Sequence, residues 1–434
     1  MAGAAPGAHT GAAGAPTRVR YWVIVFAVTL AVVTYIDRVS MSRATPSIMQ
    51  ELGLDSVRMG WALSAFGWAY ALFEIPGGFL GDWIGPRRVL IRIVLWWSFF
   101  TAATGWAWSA ISLATTRFLF GMGEAGCFPN LTKVFTIWLP ERERVRAQSI
   151  MWLSARWGGA FTPPLVGAVM RWVGWRHAFE IFGCLGVVWA LFFFLWYRDD
   201  PLKNPKLNAA ERQLLQEGSG RAAGHANVPW GRLIGSRQVW MLCWQYFSQS
   251  YGWYFYITWL PTYLSQGRHL QMISTELLSV LPLFMGGLGN PAAVLLLRFF
   301  SRRNGDVART RRQVAYVAFT GASAFLMLST RMHSPLAAVL AIGMASFCND
   351  LAMPGSWASV MDVGGRFAGT VGGAMNMWGN VGGAICPMAV GYILRWTHYN
   401  WNVTFYASAA VYLTGVLFWA LLDPVTPLER QAES

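Results

Sequence analysis

Long apolar runs, separated by short polar segments, are the feature that most limits how this chain can fold. A helix needs about 20 mostly apolar residues to cross a bilayer, whereas a barrel strand needs only about 10. The runs are of helix length, and roughly twelve of them can be counted on this criterion. Because backbone groups in lipid must be satisfied within the segment, runs of this length predict an all-α membrane protein.

The runs fall into two sets of equal number. We place the spans near 21–45, 57–80, 88–108, 111–135, 145–171 and 176–196, then near 238–264, 274–300, 312–331, 335–360, 367–394 and 402–422. The polar segment between the sets carries a short amphipathic stretch around residues 211–215. Two similar halves are typical of duplicated transporter folds. We therefore expect a disordered tail (1–19), an N-terminal six-helix half (20–196), a surface linker (197–237), a C-terminal six-helix half (238–423) and a second tail (424–434).

The distribution of charge supports this class and predicts an orientation. Only 12% of the residues are charged, about half the share in soluble domains. The net charge of +14 is not gathered in one stripe, which argues against a nucleic-acid partner. Basic residues instead cluster at 87–92, 142–146 and 298–312. By the positive-inside rule, both termini are expected in the cytoplasm and the chain in the inner (plasma) membrane.

The sequence lacks the usual signs of enzyme chemistry. Its five cysteines all lie in apolar runs without CxxC spacing, so we expect no disulfide and no metal site. No Ser-His-Asp set or nucleotide-binding loop is evident. We therefore expect neither an enzyme nor an ATP-driven pump, and no cofactor.

Several ionisable residues fall inside the predicted spans. Each costs at least about 2.5 kcal/mol in the hydrocarbon region, so they should face the interior of the bundle, where such residues usually serve function. Most belong to the N-terminal half. They are Asp37, Arg38, Arg43, Glu74, Arg117, Glu124, Lys133, Arg156, Glu180 and Asp350.

The spacing of these charges suggests a division of roles. Arg117 and Glu124 lie two turns apart on one face, about 10 Å along the axis. We expect Asp37 or Glu124 to neutralise Arg117, which leaves Arg38 for an anionic ligand. All six histidines lie in tails, loops or span ends, so any coupled proton must be carried by a carboxylate. An anion that engages the arginine would remove its stabilisation of a carboxylate and so favour proton uptake.

One loop carries a recognisable motif. GGFLGDWIGPRRVL (77–90), between the second and third spans, resembles the signature loop of the major facilitator superfamily, and RFFSRRNGD (298–306) resembles its degenerate second copy. The resemblance implies close backbone approach at the glycines, pairing or capping across helices by the aspartate, and anchoring by the arginines. These residues are Gly77, Gly81, Asp82, Gly85, Arg87 and Arg88.

Further segments resemble the anion:cation symporter branch of that superfamily, which includes galactonate, glucarate and hexuronate carriers. They include YIDRVSMSRATPSI, AYALFEIPGG, RFLFGMGEAGCFPN and GAMNMWGNVGGAICP, and the match covers nearly the whole chain after residue 20. The resemblance implies a proton-coupled symporter that imports a small organic anion, foremost a sugar acid (aldonate, uronate or aldarate), by alternating access. The implied partners are that anion, protons and the bilayer, and we expect a monomer.

The resemblance also implies roles for individual residues. Asp37 and Glu124 match the protonatable acids of the branch. The substrate-binding set that it implies is Arg38, Tyr70, Arg117, Ser356, Trp357, Asn376 and Asn380. Within the aromatic stretch 244–259, Tyr251 and Tyr254 are the best candidates to line a cavity.

Two positions depart from the pattern. Arg156 falls where sugar-acid carriers often have a neutral residue such as glutamine, and Glu74 is more acidic than expected. Arg156 either joins the substrate-binding set, favouring a dicarboxylate, or pairs with Glu74. Other coupling (sodium, uniport or exchange), another carboxylate, and an anion sensor that does not transport are the competing interpretations.

Overall fold

The computed structural model describes residues 15–54, 56–218, 229–260, 263–268 and 272–428. Apart from single helical turns, its elements are α1 (Trp22–Leu52), α2 (Ser56–Ile84), α3 (Pro86–Thr104), α4 (Ala110–Glu124), α5 (Cys127–Trp138), α6 (Glu141–Trp196), α7 (Ala209–Gly218), α8 (Trp230–Gly235), α9 (Arg237–Thr258), α10 (Met272–Asn304), α11 (Val307–Ser329), α12 (Pro335–Gly364), α13 (Ala368–Trp396) and α14 (Trp401–Leu421).

The helices reproduce the predicted pair of six-span halves. Helices α4 and α5 together form one crossing, and α6 forms two because the chain reverses at Gly174, with φ 77° and ψ 166°. Six crossings therefore precede the short helices α7 and α8, and six follow them. The all-helical fold class predicted from the apolar runs is confirmed.

Hydropathy alone recovers fewer crossings than the fold contains. Over the described residues, five stretches are long and apolar enough to span a membrane: Val19–Thr45, Leu165–Trp196, Val280–Arg303, Pro335–Leu394 and Trp401–Leu421. The fourth covers both α12 and α13. Helices such as α2 have a lower mean hydropathy because they carry buried charged residues, here Glu74 and Asp82, that face the interior of the bundle.

The fourth crossing is interrupted, where the sequence predicted a single helix near 111–135. Helix α4 ends at Glu124, and Gly126 adopts a left-handed conformation with φ 81° before α5 begins. A side chain at this position would be strained, and its Cβ would meet Gly77 Cα at 2.6 Å. The break releases the Gly126 N–H from helical bonding, and Glu74 Oε2 accepts it at 3.2 Å. Interrupted helices of this kind line ligand sites in transporters.

Both ends of the described chain gather at one end of the bundle, here called the polar end. Arg312 Nε donates to Leu422 O at 2.9 Å. Thr17 N donates to Asn208 Oδ1 at 3.2 Å, just before α7. Residues 1–14 of the predicted tail lie outside the described residues. The prediction of disorder is wrong for residues 15–19, because Thr17 and Val19 donate hydrogen bonds to Glu211 and so order this segment.

Candidate functional site

A small cavity lies at mid-depth between the two halves. Its volume is about 60 Å³, which is room for about two water molecules. Its N-terminal wall consists of Tyr35, Arg38, Tyr70, Phe128, Trp152 and Arg156, and its C-terminal wall of Tyr246, Gln249, Ser250, Trp253, Tyr254, Asn349, Met353, Asn376 and Asn380. A few polar groups among aromatic side chains are typical of small-molecule sites.

Arg38 forms the main ion pair of the N-terminal wall. Its Nη2 lies 2.6 Å from Glu124 Oε1, and its Nε donates to the same oxygen at 2.8 Å. The Arg38 side chain retains 27% exposure, whereas that of Glu124 retains 1%. The Arg38 guanidinium also lies 5.0 Å from the ring centroid of Tyr70. The Arg38 guanidinium therefore reaches the cavity, whereas its partner Glu124 lies buried on the far side of the guanidinium.

Arg117 does not receive the neutralising partner that the sequence analysis expected. Glu124 pairs with Arg38 instead, and no carboxylate lies within 4.0 Å of Arg117 among the described residues. Its guanidinium packs 4.3 Å from the ring centroid of Phe120. Both oxygens of Asp37 are buried without a hydrogen-bond partner in the described part of the chain. Asp37 lies within electrostatic range of Arg117 and Glu124, so the group forms one charged cluster.

Glu74 is held by neutral donors rather than by an arginine. Asn376 Nδ2 donates to its Oε1 at 2.6 Å, and Gly126 N donates to its Oε2. This hydrogen bond from Asn376 crosses from α13 to α2 and joins the halves beside the cavity. The alternative in which Arg156 pairs with Glu74 is wrong, because both carboxylate oxygens of Glu74 are already engaged.

Arg156 pairs instead with a carboxylate of the other half. Its Nε lies 2.8 Å from Asp350 Oδ2, and its Nη2 donates to Asp350 Oδ1 at 3.1 Å. This bidentate geometry is the strong form of an arginine–carboxylate contact. Arg156 thus reaches from α6 of the N-terminal half into the C-terminal half.

The remaining predicted ligands divide into two groups. Tyr70, Asn376 and Asn380 line the cavity with Arg38 and Arg156. Ser356 and Trp357 do not: the Ser356 hydroxyl donates to Gln245 Oε1, and the Trp357 indole donates to Tyr246 OH, both in fully buried positions. On α12 the cavity is lined by Asn349 and Met353, and Ser356 and Trp357 lie one to two turns closer to the polar end.

Sequence reasoning missed much of the C-terminal wall. In the aromatic stretch, Tyr254 lines the cavity but Tyr251 does not, whereas Tyr246 and Gln249 do. Asp350 was noted as a buried charge without an assigned role. The available signal was helical spacing, because positions 246, 249, 250, 253 and 254 recur every three or four residues and define one face of α9.

At the polar end the halves are in close contact through the loop motif. Asp82 Oδ2 accepts from Thr370 N at 2.6 Å, and its Oδ1 lies 3.0 Å from Lys133 Nζ. A Cβ at Gly77 would meet Ala125 O, and one at Gly81 would meet the side chain of Asn130. The close approach expected at these glycines is therefore present.

The remaining motif residues turn the chain into α3. Gly85 has φ 89°, which favours glycine, and a Cβ there would meet Asp199 Oδ2. Arg87 N donates to Asp199 Oδ1 at 2.9 Å, so Asp199 accepts an N–H at the start of α3. Burial raises the pKa of Asp199, although this hydrogen bond opposes the shift. The Arg87 Nη2 donates to Phe194 O, and Arg88 is exposed.

A second contact also closes the polar end. Asp362 Oδ1 lies 3.1 Å from Arg144 Nη1, and its Oδ2 lies 2.6 Å from Arg311 Nη2. Arg144 begins α6 and Asp362 ends α12, so this carboxylate joins the two halves. Helix α2 also abuts α13 through Gly78 and Gly369, so several contacts hold the two halves together at the polar end.

A family model described as Major Facilitator Superfamily matches residues 27–387. The chain belongs to the Major Facilitator Superfamily. It is 34% identical to a probable sulfoacetate transporter from Cupriavidus necator, over 92% of this chain and 93% of the relative. It is 29% identical to a probable galactarate/D-glucarate transporter from Escherichia coli, over 88% of each chain.

The solved structures give the same fold. A proton:xylose symporter of the Major Facilitator Superfamily superposes with a TM-score of 0.73 at 13% identity, over 95% of this chain and 98% of that one. The resemblance to this superfamily and its anion:cation branch is confirmed. The chain is a multi-pass membrane protein of a transporter family, and the expectation that it is not an enzyme is also confirmed.

Proposed function

We propose that this Major Facilitator protein is a symporter that imports a small organic anion together with protons. The observation that carries the proposal is the Arg38–Glu124 pair at the cavity wall. An acidic group of the ligand that binds Arg38 competes with Glu124 for the same guanidinium. Glu124 is buried, so losing its counter-charge favours its protonated form. Anion binding and proton uptake are then two parts of one event.

The charge balance of the site supports this coupling. Its charged groups are three arginines and four carboxyls, all of them buried except the partly exposed Arg38: Arg38, Arg117, Arg156, Asp37, Glu74, Glu124 and Asp350. If all are ionised, the site already carries one excess negative charge. An unaccompanied anion would add to that excess in a medium that solvates charge poorly. A cation that enters with the anion would offset this charge, and the carboxyls of the site can take up that cation as a proton.

Asp37 and Glu124 are the carboxyls best placed to accept those protons. Glu74 and Asp350 each accept hydrogen bonds from side-chain amides or the backbone, which stabilise the charged form. Asp37 has no hydrogen-bond partner among the described residues, and Glu124 loses its partner when the ligand takes Arg38.

The contacts at the polar end support the proposal that this carrier imports its substrate. The clusters of basic residues at this end favour its position in the cytoplasm, so both termini would lie on the cytoplasmic side of the cell membrane. The contacts of Asp82 and Asp362 then seal the cytoplasmic side, as expected of a carrier ready to load from outside. We propose that a monomer alternates between this arrangement and one in which those contacts open, by rocking of the halves.

The substrate class that we propose first is a sugar acid. Arg38 offers a charged donor for the acid, and Tyr70, Asn376 and Asn380 offer polar groups for hydroxyls. The similarity to a probable galactarate/D-glucarate transporter supports this class. A short sulfonated carboxylate is the second candidate, because of the similarity to a probable sulfoacetate transporter and because the cavity of about 60 Å³ is small.

Uptake by purified protein in proteoliposomes tests the proposal. We expect galactarate or sulfoacetate to accumulate when the outside is made acidic, and a protonophore to abolish accumulation. Replacing sodium with potassium should make no difference. Uptake that ignores the pH gradient but follows a sodium gradient would overturn the proposed coupling, and no flux of any acid despite binding would favour a sensor.

A further inference from the structure

Arg156 is unusual among the cavity residues because its charge is satisfied entirely by the opposite half. Two of its nitrogens bind Asp350 of α12. Its guanidinium also lies 4.3 Å from the ring centroid of Trp253 of α9. The side chain is 4% exposed, and it lines the cavity. These contacts fix the plane of the guanidinium relative to the cavity.

Asp350 is held in place by its own half. Asn349 Nδ2 donates to its Oδ1 at 2.9 Å, and Asn290 Nδ2 donates to its Oδ2 at 3.4 Å. Gly289 makes room for it, since a Cβ there would meet Asp350 Cβ at 3.2 Å. The carboxylate is therefore a fixed acceptor to which Arg156 is docked, rather than a side chain that follows the arginine.

The geometry leaves part of Arg156 available to a ligand. Asp350 engages Nε and Nη2, and Nη1 has no hydrogen bond to any described residue. Arg38 stands on the same cavity wall. The cavity that the two arginines share has a volume of only about 60 Å³. A single small ligand can therefore contact both cations.

We propose that Arg156 selects ligands that carry two acidic groups, one for Arg38 and the second for Arg156 Nη1. This inference rests on the proposed binding of an anion at Arg38. Asp350 is a positioning residue, because it orients Arg156 without contacting the ligand. A monoacid of the same length places a neutral hydroxyl against Arg156 and forgoes a charge-assisted hydrogen bond, the stronger kind.

Equilibrium binding to the purified full chain in detergent tests the selection. The probes are two matched pairs: galactarate with galactonate, and sulfoacetate with isethionate. In each pair a carboxylate is replaced by a hydroxymethyl group. We expect the wild-type protein to bind at least one diacid about tenfold or more tightly than its matched monoacid, the ratio typical of one charge-assisted hydrogen bond.

The decisive variant changes both members of the pair. R156Q/D350N removes the cation and the carboxylate together, so that neither charge is left buried alone, and we expect the ratio of diacid to monoacid affinity to fall toward one. Arg176→Gln is the control, since Arg176 lies beyond the reversal at Gly174 and pairs with Glu51 away from the cavity; its ratio should equal that of the wild type.

An affinity ratio that survives in R156Q/D350N would overturn the proposal. So would a wild-type protein that binds both monoacids as tightly as their diacids, or that binds none of the four probes. The binding assay contains no ion gradient. Failure of proton coupling therefore leaves this result standing, and a proton-coupled carrier that prefers monoacids would refute only the role of Arg156.

Discussion

Arg38 Nη2 lies 2.6 Å from Glu124 Oε1 and joins α1 to α4 beside the cavity. The side chain proposed to bind the anion and the side chain proposed to bind the proton are thus partners in one ion pair. The break after Glu124 adds Glu74 and the Gly126 N–H to the same cluster. In the proposed mechanism, competition for this shared arginine couples the two solutes without a separate relay.

Asp37 is expected to serve proton transport while lowering the stability of the folded protein. Its two oxygens are buried without hydrogen-bond partners in the described structure, which costs about 1–3 kcal/mol for a polar group and more for a charged one. Asp37→Asn should therefore keep or raise the melting temperature in detergent while abolishing accumulation driven by a pH gradient. A lower melting temperature combined with intact accumulation would show that Asp37 is structural.

The Arg156–Asp350 pair predicts strong non-additivity. Asp350→Asn alone leaves the Arg156 guanidinium buried without a counter-charge, and breaking a buried pair in this way costs about 3–5 kcal/mol. R156Q/D350N removes both charges and should recover most of the loss. Thermal melting of the single and double variants in detergent measures this. If the double variant melts at or below D350N, the two residues are not energetically coupled.

Gly78 should be needed for closure of the polar end. A Cβ there would meet the Gly369 carbonyl oxygen across the halves, whereas one at Gly67 on the same helix would meet nothing within 4 Å. Overpacking costs about 1–3 kcal/mol, enough to shift a two-state equilibrium about 5- to 150-fold. We expect Gly78→Ala to lower the initial uptake rate at least fivefold on that estimate. Gly67→Ala should match the wild type, and equal rates for the two variants would refute the contact.

Glu143 gives a prediction for pH dependence outside the membrane. Partial burial opposes ionisation, but hydrogen bonds from Arg20 and Tyr21 hold the pKa of Glu143 below its usual range. Its contribution to stability is therefore present above the unfolded pKa of about 4.3 and lost as the pH falls through the lower folded value. Glu143→Gln should melt below the wild type at neutral pH, and the difference should vanish in acid. A constant difference across that range would contradict this assignment.

The fold could be predicted from the sequence because each of its strongest signals depends on many residues. Twenty-residue apolar runs, their grouping into two sets, and the loop motif at 77–90 each depend on many residues. The conformation and partners of a single residue depend on far fewer signals. The break at Gly126 was missed because a glycine in an apolar run is compatible with either a continuous or an interrupted helix. Its consequence depends on Glu74, which lies 52 residues away in the chain.

Partner choice among buried charges was the hardest part to predict. Arg117 and Glu124 share a helix face, yet Glu124 is taken by Arg38 from another helix. Arg156 pairs with Asp350, 194 residues away. Periodicity tells which residues face the interior but not how neighbouring helices are rotated. That rotation is set by tertiary packing, including the glycine contacts between α2 and α13.

Proton uptake on ligand binding measures directly whether the anion and the proton compete through Arg38. Purified protein in weakly buffered detergent solution, with a pH indicator, is mixed with saturating galactarate or sulfoacetate. We expect uptake of at least about one proton for each anion bound, because the ligand displaces Glu124 from Arg38. Glu124→Gln should take up fewer protons, and the exposed control Glu141→Gln should match the wild type. Saturating binding without any proton uptake would contradict the account.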